Sequence, residues 1–211
     1  MTNLEFVKNT IVITNRSLVK GDYLTQIERV AKLRPHALIL REKDLNDEEY
    51  CSLAKQVKQI CDMYDVDMYV HSKLSIAEAI GCKAIHMSVA ALEELSKNNG
   101  LHNFENEKQS VGLHNPDKIS LLSVSCHSLE DVQKAIAGGA TQIILGTIFE
   151  TECKKGLKGR GLDFVREITQ YCKEQGDVPV YAIGGIKPDN LADVITAGAA
   201  GGCMMSYMME I

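Results

Sequence analysis

Eight times along 211 residues a short aliphatic run is followed by a segment with turn or helix character, and this alternation constrains the fold more than any other feature. The runs are Ile11–Thr14, Ala37–Leu40, Met68–Val70, Ala84–Met87, Ile119–Val124, Gln142–Leu145, Pro179–Ile183 and Gly202–Ser206. They are nearly continuous in apolar residues, the pattern of parallel strands buried on both faces. Between them the chain reads as helices over Tyr23–Leu33, Asp47–Met63, Ser75–Ile80, Ala90–Asn99, Leu129–Ala137, Leu162–Lys173 and Asp189–Ala197. Asp47 and Ser128 are expected to cap the helices they introduce, and Gly138-Gly139 and Gly198 to end two of them. The alternation predicts an α/β protein, a single (β/α)8 TIM barrel domain over residues 1–211. An open doubly wound sheet fits less well, because the count reaches eight and no G-x-G-x-x-G follows the first strand. Residues 100–118 are polar, contain Pro116 and form the least regular part. Five residues follow Ser206, so the C-terminal eighth helix is expected to be short or missing. Met204, Met208, Met209 and Ile211 would then meet a second subunit, and a homo-oligomer is expected.

Composition narrows the function. The formal net charge is −5, which argues against a nucleic-acid surface. The seven cysteines are odd in number and contain no C-x-x-C pair, so neither a disulfide framework nor a zinc site is indicated. No signal-peptide pattern opens the sequence, and no apolar run approaches the ~20 residues of a membrane span. The expectation is a reduced cytoplasmic protein that acts on a small molecule.

In such a barrel the chemistry gathers at the carboxyl ends of the strands. With side chains alternating along a strand, Arg41 and Lys43 share one face and Glu42 takes the other. Ser123, Ser125 and His127 share a face, while Val124 and Cys126 point to the helices. The loop Gly146–Gly161 brings Thr147, Thr151, four glycines and the cations Lys154, Lys155, Lys158 and Arg160, a composition suited to closing over an anion. Gly184 and Gly185 after the seventh strand and Ser206 after the eighth have the form of a phosphate cradle, although a tight turn needs no ligand to explain it. His127 is the candidate acid–base group; His71 and His86 end strands and could line the pocket, and His36, His102 and His114 read as loop residues. Cys153 sits among lysines that could lower its pKa, but a bystander role is the simpler expectation.

These pieces together resemble the thiamine phosphate synthase superfamily. The resemblance rests on Ile13-Thr14-Asn15-Arg16, Leu40-Arg41-Glu42-Lys43, Ile85-His86, Val124-Ser125-Cys126-His127-Ser128, Gly146-Thr147-Ile148-Phe149, Ala182-Ile183-Gly184-Gly185-Ile186 and the serine after the eighth strand. Within the superfamily, Phe149–Gly161 and His127–Asp131 look most like the TenI-type thiazole tautomerases. Synthases of the family carry aspartates after strands three and four that hold magnesium. Here those places read Val70-His71-Ser72-Lys73 and His86-Met87-Ser88-Val89, without either aspartate. The family's second threonine in the strand-six loop is replaced by Cys153.

The resemblance therefore implies an enzyme of thiamine biosynthesis, an isomerase that aromatises a carboxylated thiazole phosphate by tautomerisation, with no cofactor and no metal. His127 would move the proton and Gly184, Gly185 and Ser206 would hold the phosphate. Ser125, Thr147 and Thr151 would contact the substrate, with Arg41, Lys43 or Lys154 on its carboxylate. Two alternatives remain. One is a transferase, a magnesium-dependent thiamine phosphate synthase coupling hydroxymethylpyrimidine diphosphate to thiazole phosphate. The other is a non-catalytic regulator that binds thiazole or thiamine phosphate.

Overall fold

The structure, a computed structural model, describes residues 6–98, 119–151, 156 and 158–211. Eight parallel strands close into one barrel in chain order: β1 (Thr10–Ile13), β2 (Ala37–Leu40), β3 (Asp67–His71), β4 (Ala84–Ser88), β5 (Leu121–Cys126), β6 (Gln142–Gly146), β7 (Val180–Ile183) and β8 (Gly201–Met204). The seam is made by β8 pairing back on β1, with Thr10 opposite Gly202 and Val12 opposite Met204. Around the barrel lie α1 (Tyr23–Lys32), α2 (Asp47–Met63), α3 (Leu74–Ala79), α4 (Val89–Asn98), α5 (Leu129–Ala137), α6 (Gly161–Glu174), α7 (Pro188–Thr196) and α8 (Ser206–Glu210). This is the (β/α)8 architecture that the alternation predicts.

Strict alternation along the strands creates two cores. Ile11, Ile39, Tyr69, Ile144 and Tyr181 fill the inside of the barrel. Val12, Leu38, Val70, Ile85, Val124 and Leu145 face outward and pack under the helices. A strand buried on both faces has no use for polar alternation, which is why the runs are continuous in sequence.

The helix boundaries have local causes. Asn46, not Asp47, caps α2: its Oδ1 accepts from the Glu49 N–H at 2.9 Å and Glu49 Oε2 accepts from the Asn46 N–H at 3.2 Å. Asp47 is already the first helical residue, where its charge still favours the positive end of the helix dipole. Ser128 caps α5 as expected, its Oγ accepting from the Asp131 N–H at 3.1 Å. Gly138 and Gly139 follow the last residue of that helix, Ala137.

The eighth helix is short, as expected, but the strand end and the methionines around it depart from expectation. β8 stops at Met204, and Ser206 opens the short helix α8 instead of ending a strand. Met204, Met208 and Met209 are buried within this chain, at 1%, 0% and 1% exposure, and are not offered to a second subunit. Polar anchors hold the turn down: Gln26 Nε2 donates to the Met208 carbonyl at 3.0 Å, and Arg29 Nη1 to the Ile211 carbonyl at 2.7 Å. Ile211 alone of the four stays exposed. Among the described residues, no helix is long and apolar enough to cross a membrane.

If α8 belongs to this core, Met208→Ala leaves a cavity and lowers the unfolding free energy by about 2–5 kcal/mol. Urea denaturation of the variant checks this, and an unchanged midpoint would mean that α8 docks without contributing to the core.

Candidate active site

The carboxyl ends of the strands collect Arg41, His71, Ser125, His127, Thr147, the Gly184-Gly185 pair and Ser206 at one mouth of the barrel. The mouth is built from the β1 and β2 ends inward. Glu42, 3% exposed, accepts from Thr14 Oγ1 at 2.6 Å and Tyr23 Oη at 3.1 Å through Oε1. Its Oε2 accepts from the Arg16 N–H at 3.1 Å. Thr14 Oγ1 in turn accepts from the Arg41 N–H at 3.0 Å. This buried carboxylate fixes the loops after β1 and β2 and sends Arg41 to the opposite face, as the strand alternation predicts. Burial and the Glu42 charge push the Tyr23 phenol well above its ordinary pKa, so it remains a donor.

Beside Arg41 stands His71, whose pKa falls to about 4, first through burial and then through the positive charges of Arg41 and Lys43. Arg41 is half-buried, whereas Lys43 is exposed. Tyr50 ties this side together, donating to the Leu40 carbonyl at 2.5 Å and accepting from the His71 N–H at 3.1 Å. His86 lies deeper, 5.7 Å from the His71 ring centroid to centroid, between Ser123 Oγ at 3.0 Å and Ser125 Oγ at 2.9 Å. Its pKa falls to about 3, chiefly by burial.

His127 is held from three directions. Its N–H donates to Asp131 Oδ2 at 2.7 Å, and the Arg160 guanidinium donates to its carbonyl. Its Nδ1 lies 2.6 Å from the Gly146 carbonyl. A carbonyl can only accept, so Nδ1 carries the hydrogen and Nε2 of the neutral ring is left as a base. The exposed ring is therefore oriented by its backbone neighbours and by β6, not by burial.

The loops after β6 and β7 are interlocked. Gly184 has φ +100° and Gly185 φ +65°. A Cβ on Gly184 would stand 2.4 Å from the Thr147 methyl, and one on Gly185 2.6 Å from the Glu150 carbonyl oxygen. Packing thus accounts for both glycines whether or not a ligand binds. Among the described residues, the N–H groups of Gly184 and Gly185 meet no protein acceptor. Asn190, which the sequence reading missed, fixes the turn by donating to the Gly185 carbonyl at 2.9 Å and accepting from the Lys187 N–H at 2.8 Å. Its only sequence signal is an amide at the third position of α7.

Other expectations fare unevenly. Thr151 is half-buried and engaged in an interaction of its own. Lys154, Lys155, Cys153, His102 and His114 lie outside the described residues. His36, read as a loop residue, stacks on Tyr181 with ring centroids 5.0 Å apart. Cys126 faces the helices, and burial pushes its thiol up to about 12, so it is an inert packing group.

Among the described residues, the mouth offers the family's magnesium no fitting donor set. The ends of β3 and β4 present His71, Ser72, Lys73 and Ser88, and Lys73 is ion-paired with Asp47. Glu42 is committed to Thr14, Tyr23 and Arg16, and Asp44 to Arg16 at 2.6 Å. Among the described residues, no group of three or more His, Cys, Asp or Glu side chains could hold a metal ion.

Comparison with known proteins places this geometry. The family described as thiamine monophosphate synthase (TMP-TENI) matches residues 10–208, the whole barrel. The chain belongs to that family. A thiamine-phosphate synthase of Clostridium tetani is 30% identical over 181 residues, covering 85% of this chain and 78% of the relative. One from Clostridium botulinum (strain Kyoto / Type A2) is 30% identical over 201 residues, covering 94% and 89%. In fold, the chain is similar to the thiamine phosphate pyrophosphorylase of Pyrococcus furiosus, with a TM-score of 0.74, 23% identity, and 99% and 91% of the two chains covered. The protein is thus a member of a family of thiamine biosynthesis enzymes.

Burial depresses three described histidines, His36, His71 and His86, and makes stability depend on pH. His71 and His86 remain neutral in the fold down to about 4 and about 3, whereas in the unfolded chain they protonate near ~6.5. The unfolded state therefore binds more protons between those values, and stability falls as pH drops from ~6.5 toward 4. Urea midpoints at pH 7 and pH 5 read this directly. The lower midpoint is expected at pH 5, with a smaller difference in His71→Gln, and equal wild-type midpoints would contradict the assignment.

Proposed function

We propose that the protein is a thiazole tautomerase that uses His127 as its general acid–base. The observation that carries this reading is the His127 Nδ1 contact of 2.6 Å with the Gly146 carbonyl, which holds a hydrogen on Nδ1 and leaves Nε2 of the neutral ring as the basic nitrogen at the mouth. The reaction removes one carbon-bound proton from the non-aromatic thiazole and returns a proton to another carbon. One C–H bond breaks, one forms, and no electrons leave the substrate. His127 Nε2 takes the proton, the imidazolium keeps Nδ1–H on Gly146, and Nε2 gives the proton back.

The remaining roles follow from position. Gly184 and Gly185 offer N–H groups, and Ser206 a hydroxyl, to the phosphate. Arg41, half-buried and close enough to depress His71, is the best placed of the described cations for the carboxylate; Lys43 is more exposed. Ser125 and Thr147 border the ring, Thr151 follows β6, and Lys154 is kept as a candidate on its sequence position alone. Residues 1–211 are proposed to form a single barrel domain, and the enzyme to work in the cytoplasm as a homo-oligomer.

The second reading is the transferase. The names of the relatives favour it over the isomerase, since those described above are called thiamine-phosphate synthase. Against it stands the donor chemistry at the ends of β3 and β4, where the family's diphosphate-bound magnesium would need carboxylates. A ligand-binding regulator shares the same mouth but has no need of a fixed His127 tautomer.

Incubation with the carboxylated thiazole phosphate tautomer in D₂O, in the presence of chelator, separates the three. The tautomerase aromatises it with deuterium uptake seen by NMR. Turnover of pyrimidine diphosphate with magnesium, and no aromatisation, would establish the synthase; binding without either would establish the regulator. In the first case, His127→Asn is expected to lower turnover by about 10²–10⁴-fold with phosphate binding kept.

A further inference from the structure

A buried polar column runs up β4, β5 and β6, beside the aliphatic and aromatic side chains that fill the inside of the barrel. Its members are Gln142, Ser123, His86 and Ser125, the first three at 4%, 0% and 5% exposure. Gln142 Nε2 donates to Ser123 Oγ at 3.1 Å, Ser123 Oγ meets His86 Nδ1 at 3.0 Å, and His86 Nε2 meets Ser125 Oγ at 2.9 Å. Four polar groups in a dry barrel must each find a partner or cost their full desolvation.

The column can be satisfied in only two senses, and Gln142 selects one. The Gln142 amide nitrogen, which can only donate, lies 3.1 Å from Ser123 Oγ. The NH₂ group is therefore turned to Ser123, whose oxygen accepts from it. The Ser123 hydroxyl hydrogen then has His86 Nδ1 as its acceptor among the described residues. With Nδ1 accepting, the neutral ring carries its hydrogen on Nε2 and donates to Ser125 Oγ. Burial keeps the ring neutral, since its pKa is lowered to about 3. Ser125 already accepts, and among the described residues no protein acceptor takes its own hydrogen.

We infer that Gln142, Ser123 and His86 form a polarised hydrogen-bond chain that leaves the Ser125 hydroxyl hydrogen to be donated beside His127, so that this part of the site favours an anionic oxygen acceptor on the substrate. Ser125 and His127 lie two residues apart at the mouth end of β5 and share one face. Under the tautomerase reading, on which the identity of the ligand rests, that acceptor is a carboxylate oxygen. His86 is a positioning residue that acts through Ser125 and does not touch the substrate. With the imidazole hydrogen on one of its lone pairs, Ser125 keeps its own hydrogen for the ligand and has one lone pair left, so a ligand oxygen acceptor is the favoured neighbour and a ligand donor the weaker one.

Two measurements test the chain separately from the reaction. Long-range ¹H–¹⁵N spectra of the ligand-free protein at pH 7 read the His86 tautomer. The neutral Nε2–H form is expected, and Ser123→Ala is expected to abolish that single fixed form. An Nδ1–H tautomer, or an imidazolium, overturns the inference, because the column would then run the other way or be charged. Binding is measured by calorimetry with a carboxylated thiazole phosphate and its carboxyl-free counterpart. Ser125→Ala is expected to weaken the first by about 10- to 100-fold and the second far less. Adding Ser123→Ala should then cost nothing further for the carboxylated ligand, because both act through one hydroxyl. Equal losses on both ligands, or none, would refute the role of Ser125. Absence of turnover with the tautomer and the ligand selectivity both as expected would instead count against the tautomerase reading alone.

Discussion

The barrel closes because β8 carries almost no side-chain bulk at its seam. A Cβ on Gly201 would stand 2.0 Å from the Asn9 carbonyl oxygen, and one on Gly202 2.7 Å from Ile186 and 2.9 Å from Leu191. With hydrogen alone at both positions, β8 reaches β1 on one side and β7 on the other. Closure removes both sheet edges and brings eight strand ends to a common rim. Every functional relation at the mouth, from Arg41 on β2 round to Ser206 after β8, depends on that ring being shut.

Within the ring, rigidity at the mouth comes from polar anchors on the backbone. Glu42 gathers Thr14, Arg16 and Tyr23; Tyr50 bridges the ends of β2 and β3; Asp131, Arg160 and Gly146 hold His127. These bonds cross between neighbouring loops, so each loop is positioned by the next. An exposed ring needs such support to keep one orientation, since packing alone would leave its χ angles free. The polar column beneath Ser125 continues the same principle into the barrel interior.

The family relationship and the local chemistry pull in different directions on function. The chain belongs to the thiamine monophosphate synthase (TMP-TENI) family, and the relatives described above are named thiamine-phosphate synthase. The β3 and β4 ends instead offer an imidazole and hydroxyls where a divalent cation would want carboxylates. One scaffold can host both chemistries because the barrel fixes where side chains emerge and leaves their identity to the loop ends. A proton transfer within one substrate needs only a base of set tautomer and an anchored anion, a smaller demand than two-substrate coupling.

Much of this was legible in the residues themselves. The period-two and helical spacings that make each element are local, so β2, α2 and α5 have the bounds their patterns predict. The face shared by Ser123, Ser125 and His127, and the outward set of Cys126, follow from strand geometry alone. What the spacing could not hold was any relation between distant parts of the chain. That Asn46 caps in place of Asp47 depends on where the backbone leaves its extended conformation. That Met208 and Met209 are core residues depends on α8 folding back over α1, and that Asn190 serves Gly185 depends on the angle of a turn. The direction of the hydrogen bonds through Gln142, Ser123 and His86 is likewise set by three neighbouring strands in register. Sequence by itself determined the elements, the closed barrel and the inventory of groups at its mouth, because those arise from local periodicity and strand count. Only the tertiary structure decided which of those groups face one another and in which sense they share their protons, because hydrogen-bond partners are chosen by proximity in space.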